Sequence, residues 1–102
     1  MDIRTDGPTL VLDGAFDVRS TSEVRYAIYA HLEGPHEHVV LDLSMVTAIY
    51  LTAMRLLAVA TRHAWLAGHH LTVRNPSPAV RRTMHVARLA HAIEVDRDAA
   101  SA

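Results

Sequence analysis

The hydrophobic period of this chain switches back and forth between strand-like and helix-like, and that alternation limits the folds it can adopt. Thr9-Leu10-Val11-Leu12 is a short apolar run ending at Asp13-Gly14, which predicts a strand entering a turn, with Ile3–Arg4 as a short partner strand. Ser20 and Glu23 have the spacing of a capping box, and Val24, Ala27, Ile28, His31 and Leu32 then recur at helical spacing until Gly34-Pro35 stops them. His38-Val39-Val40-Leu41-Asp42-Leu43 has the pattern of a strand covered on both faces, followed by a turn over Ser44 to Thr47. Thr52 then precedes a helix from Ala53 to Ala67, with Leu56, Leu57, Ala60 and Ala64 on one stripe and Gly68 closing it. Leu71-Thr72-Val73 predicts the next strand. Ser77 and Pro78 fit the N-cap and first position of a third helix through Val80, Met84 and Ala87. Ala92 to Val95 alternates like a last strand. The order β-β-α-β-α-β-α-β argues for an α/β fold with a mixed, mostly parallel sheet.

A length of 102 residues fits one domain, with its core between Thr9 and Val95 and a disordered tail from Asp98 to Ala102. Cysteine is absent, which excludes disulfide scaffolds, thiolate nucleophiles, iron–sulfur clusters and cysteine zinc sites. Lysine is absent too, so all ten fixed positive charges are arginines, and lysine Schiff bases or phosphate-loop lysines are excluded. A net charge of −1 leaves no electrostatic footprint for nucleic acid or an anionic membrane. The acidic N-terminus, Met1 to Asp6, does not read as a signal peptide, and the apolar stretch Leu56 to Ala60 falls far short of the ~20 residues of a membrane span. A soluble, cytoplasmic protein is expected.

Chemistry-bearing clusters are sparse. His36-Glu37-His38 puts two imidazoles on one side of an extended segment, but no third ligand can be named. His69-His70 would point to opposite faces of a strand. No G-x-S-x-G elbow, glycine phosphate loop or paired carboxylate is present. No catalytic residue, metal or cofactor is therefore expected. Arg81-Arg82 with Arg88 reads as a solvated helix face, and Trp65, Tyr26 and Tyr29 as core or rim packing.

From Val39 to Leu57 the chain resembles the core of the STAS domain, found in anti-sigma factor antagonists and sulphate transporters. An apolar strand leads into Asp42-Leu43-Ser44, then a short segment, then Tyr50-Leu51-Thr52-Ala53 opening a helix where the family typically shows D-S-x-G. Leu12-Asp13-Gly14-Ala15-Phe16-Asp17 is similar to the family's L-x-G-x-[LF]-D. Gly68 through Pro78 is similar to its G-x-x-L-x-[LV]-x-[NG]-P-S-P, and Arg81 to Leu89 to its R-x-x-L-x-x-x-G-L. The ordered set covers Thr9 to Val95.

The resemblance implies helices packed mainly on one face of the sheet. It also implies a non-catalytic module that binds an anti-sigma factor or related regulatory protein, while a patch around Tyr50, Leu51 and Met54 fits either such docking or self-association as a homodimer. In antagonists of this family the Ser of D-S-x-G is phosphorylated by the anti-sigma factor, which is itself a kinase. Here Tyr50 stands for the Asp, Leu51 for the phosphorylated Ser and Ala53 for the Gly, so phosphorylation at 51 is chemically impossible. Thr52 keeps a hydroxyl, expected as the helix N-cap, with phosphorylation as the alternative. Arg88 replaces the Gly before Leu89, which puts the turn after the third helix in doubt, and the family's C-terminal helix is absent or minimal. The partner-binding residues expected on this basis are Tyr50, Leu51, Thr52, Met54 and Arg55. A STAS module that senses a nucleotide or lipid is the alternative function.

Overall fold

The computed structural model describes residues 1–95, so the tail expected over 98–102 lies outside the described residues. The elements are β1 (Asp2–Asp6), β2 (Thr9–Phe16), α1 (Thr21–Glu33), β3 (His38–Ile49), α2 (Leu51–Leu66), β4 (His70–Arg74), α3 (Pro78–Ala87) and a 3₁₀ turn at Ala90–Ala92. One sheet holds the strands in the order β1-β2-β3-β4, antiparallel between β1 and β2 and parallel in the other two pairs. Both parallel steps cross through a helix and move the same way across the sheet. Right-handed crossovers therefore bring α1 and α2 to one face, where they pack on each other.

The period of two sends Leu10 and Leu12 of β2, Val39, Leu41 and Leu43 of β3, and Leu71 and Val73 of β4 into the core beneath those helices. Val24, Ile28 and Leu32 meet them from α1, and Ala53, Met54, Leu57, Ala60 and Ala64 from α2. The opposite side of the sheet carries Arg4, Val11, Asp42 and Arg74 in one cross-strand row. Cover on both faces of β3 is thus only half met. Val40 is buried on that second side in a row with Thr9 and Thr72, whereas Asp42 stays partly exposed and accepts the Ser44 amide at 2.9 Å.

Two expected turns are strand instead. Asp13-Gly14 and Ser44 to Thr47 lie inside β2 and β3, whose pairing shifts register between Val11 and Asp13 and again between Gly14 and Ala15. Gly14 has φ +114, a backbone state that suits glycine, so its signal marks a bulge that lets the strand continue. The last strand, expected over Ala92–Val95, shrinks to the 3₁₀ turn and one bridge between Val73 and Val95, with Val73 N–H donating to the Glu94 carbonyl at 2.8 Å. Ile93 alone of that stretch is buried, too little to hold a full edge strand.

Helix ends repeat the contrast. α2 closes at Gly68 (φ +82), with Gly68 N–H on the Trp65 carbonyl and His69 N–H on the Ala64 carbonyl, the paired bonds of a Schellman motif. Ser77 caps α3 by accepting from the Val80 amide, while its hydroxyl donates to the Val46 carbonyl and ties the helix start to β3. Ser20 does not form the expected capping box. It sits at the α1 N-cap in a helical backbone state without a side-chain cap, and its hydroxyl faces the Ala15 carbonyl and Asp17.

The turn after α3 keeps a left-handed residue where the resemblance implied glycine. Arg88 adopts φ 58 there, a conformation that costs a residue with a Cβ about 1–2 kcal/mol. Arg88→Gly is expected to raise stability by about 1 kcal/mol in denaturant unfolding, and an unchanged or lower midpoint would show that the arginine side chain compensates.

Candidate functional site

The start of α2 is set by where β3 lets go of the sheet. Tyr50 N–H still donates to the Phe16 carbonyl of β2 at 3.2 Å, and the Tyr50 carbonyl already accepts from Met54 N–H at 2.9 Å. Tyr50 is therefore the N-cap, in extended conformation and without any side-chain cap. Thr52 falls inside the first turn rather than at the cap, which corrects the expectation that its hydroxyl closes the helix. No acidic residue occupies that turn.

The five expected partner-binding residues separate. Tyr50 is 56% and Leu51 47% exposed, large apolar surfaces for a helix start. Thr52 and Arg55 are exposed beside them. Met54 is not part of this surface, because it is 0% exposed and belongs to the buried stripe of α2 with Leu57 and Ala60. Its phase on the helix gives the reason, since a side chain three residues before another buried one shares its face.

The β2–α1 loop lies alongside. Val18 is exposed there, and Thr21 pins the loop by donating from its hydroxyl to the Val18 carbonyl at 2.8 Å. Arg19 hydrogen-bonds Asp17 through its guanidinium at 3.1 Å and its amide at 2.9 Å. Those bonds hold the Asp17 carboxyl below the usual carboxylate range, the side-chain bond most of all. The same hydrogen bond raises the Arg19 guanidinium, and the Tyr50 amide bond to Phe16 keeps the loop's start beside α2. Because Asp17 is lowered on folding, this anchor contributes above the ordinary carboxylate pKa and is lost as pH falls through the lowered one. Arg19 reaches the pair from solvent, its side chain 88% exposed, and that screening keeps the contribution small.

Sequence reasoning missed a groove of about 240 Å³ between α1 and α2, walled by Arg25 and Tyr29 on one side and Thr52, Arg55 and Val59 on the other. The exposed spacing Thr52, Arg55, Val59 on α2 was the available signal. Tyr26 and Trp65 are surface residues, 77% and 65% exposed, while Tyr29 is half-buried with its ring 5.0 Å from His63. His36 stacks on His31 at 5.5 Å, and His38 Nε2 is hydrogen-bonded to Thr72 Oγ1 at 2.9 Å, so the two do not converge. No group of three or more metal-ligating side chains assembles among the described residues, and no described helix is long and apolar enough to cross a membrane.

Residues 1–95 match the family described as Mlab, STAS domain. The fold is similar to that of the anti-sigma factor antagonist SpoIIAA in its unphosphorylated form, with 14% identity, TM-score 0.73, and 98% of this chain and 90% of that one covered. It is similar to a putative anti-sigma factor antagonist from Thermotoga maritima, with 12% identity, TM-score 0.76, and coverage of 98% and 89%. A serine-to-glutamate variant of RsbS from Moorella thermoacetica shares the fold at 17% identity and TM-score 0.68, over 93% of this chain and 84% of that one. No curated protein sequence matches this chain.

Proposed function

This chain belongs to the STAS domain family, and from that premise we propose that it is a non-catalytic, antagonist-like interaction module that docks through the start of α2. Its partner is an anti-sigma factor or a related regulatory protein, and its setting is sigma-factor-dependent transcription or a stress response. One observation carries the reading. At a helix N-terminus, where Asp, Asn or Ser would stabilise by about 1 kcal/mol, the chain places uncapped Tyr50 followed by exposed Leu51. Apolar side chains kept in water at the expense of a cap fit a surface that is covered by a partner.

Binding in this reading is not switched by phosphate at position 51, because leucine has no hydroxyl to accept it. Thr52 offers an aliphatic hydroxyl at the site, exposed and without a hydrogen bond among the described residues. Capture of the partner from native cells, followed by titration calorimetry against wild type and Leu51→Asp, tests the proposal.

A second substitution exposes the trade between stability and binding. Tyr50→Asp supplies the missing cap and is expected to raise folding stability by about 1 kcal/mol while weakening the native partner. Thermal unfolding and calorimetry on the same samples check both halves. Tyr50→Asp combined with Leu51→Ser should admit phosphorylation by a kinase-type anti-sigma factor.

A further inference from the structure

A second stripe runs along α2, away from its buried side. Thr52, Arg55, Val59, Arg62 and Leu66 recur at alternating spacings of three and four and are all exposed. That spacing gives a helix one continuous face, here about 21 Å long at 1.5 Å per residue, on which another helix can lie. The α1–α2 groove opens along the first half of it, from Thr52 to Val59, and Arg62 and Leu66 continue the face beyond the groove.

The lining of the groove is one-sided in charge, with Arg25 and Arg55 and no acidic residue, although α1 also holds Glu23 and Glu33 outside it. α2 holds Arg55 and Arg62 and no acidic residue, and α3 holds Arg81 and Arg82 and no acidic residue. Arg25 reaches the groove from α1, and neither Arg25 nor Arg55 has an ion pair or hydrogen bond among the described residues. Two unpaired guanidiniums from different helices, with Tyr29 and Val59 one turn further along the same lining, match carboxylates set among apolar side chains, because a guanidinium binds a carboxylate through two parallel hydrogen bonds. We propose that the groove receives an acidic amphipathic helix of the partner protein. Its carboxylates meet Arg25, Arg55 and Arg62, and its apolar residues meet Tyr29, Val59 and Leu66. The proposal rests on the start of α2 being the docking surface, which continues into the groove through Thr52 and Arg55. A second copy docking through its own α2 or α3 is a poor occupant, since arginine would meet arginine.

The test uses two synthetic helical peptides of equal length and leucine content, one with Glu and the other with Lys interleaved at spacings of three and four. Titrated against the ¹⁵N-labelled chain, the Glu peptide is expected to bind at least ~10-fold more tightly, with shifts centred on Arg25, Arg55 and Val59 and affinity falling as salt rises. Arg25→Glu with Arg55→Glu inverts the order of the peptides, and Arg25→Gln with Arg55→Gln levels it. Both double variants keep the wild-type melting temperature, because these side chains are solvated. Equal binding of the two peptides, binding of neither, shifts outside the groove, or an unchanged order in the reversed variant overturns the proposal. Inorganic phosphate or GTP shifting the same residues while the Glu peptide does not also overturns it, in favour of a small-anion site. Leu51→Asp keeps the two proposals apart. Its effect on the native partner reports on the start of α2, whatever the peptides do in the groove.

Discussion

Leu51→Asp leaves the chain folded and removes partner binding, weakening the complex by at least ~100-fold, or about 2.7 kcal/mol. The fold tolerates the change because Leu51 is the first residue of α2, half in water, where no acidic residue answers the free amides of the first turn. A carboxylate there is favoured by the helix dipole by about 0.3–1 kcal/mol, so the melting temperature holds or rises. The complex does not tolerate it. Covering Leu51 gives up an apolar contact when the residue is Asp, and it strands an unpaired charge in a desolvated interface, which costs several kcal/mol. Calorimetry with the captured partner, beside a melting curve, separates the two effects. A folded Leu51→Asp protein that binds as wild type does would remove the start of α2 from the interface.

The parts of the structure written in local chain chemistry are legible in the sequence. Gly68 ends α2, and Ser77-Pro78 starts α3, because caps are decided within a few residues. The alternation of elements, the parallel crossovers and the family motifs followed from the same local period. Features set by distant neighbours were not legible. Gly14 looked like a turn because its positive φ serves a bulge as well as a turn, and only the register with β3 distinguishes them. The last strand depended on whether β4 would pair with it, and only Val95 does. Thr52 resembled a cap because hydroxyls usually are, yet the cap position was decided by Tyr50 remaining hydrogen-bonded to Phe16 in β2. Arg25 and Arg55 lie far apart in sequence, and nothing local says that they share a groove.

Met54→Asp makes the same chemical change three residues further on and is expected to give no folded protein. Met54 is fully buried on the α2 stripe that faces the core, beside Ala53, Leu57 and Ala60. A carboxylate there has no partner of opposite charge on its stripe, and the several kcal/mol needed to bury it are comparable to the 5–15 kcal/mol that holds a small domain together. Met54→Ala is the milder version, costing about 2–5 kcal/mol through the cavity left under α2. Its partner affinity should stay within about two-fold of wild type below its melting temperature, because the exposed faces of Tyr50 and Leu51 are unchanged. Denaturant unfolding together with calorimetry reads both quantities from one preparation. A Met54→Ala protein that is folded at the assay temperature yet loses binding as severely as Leu51→Asp would mean that α2 turns its buried stripe toward the partner. The docking surface would then have to form by opening the core rather than by covering a preformed patch.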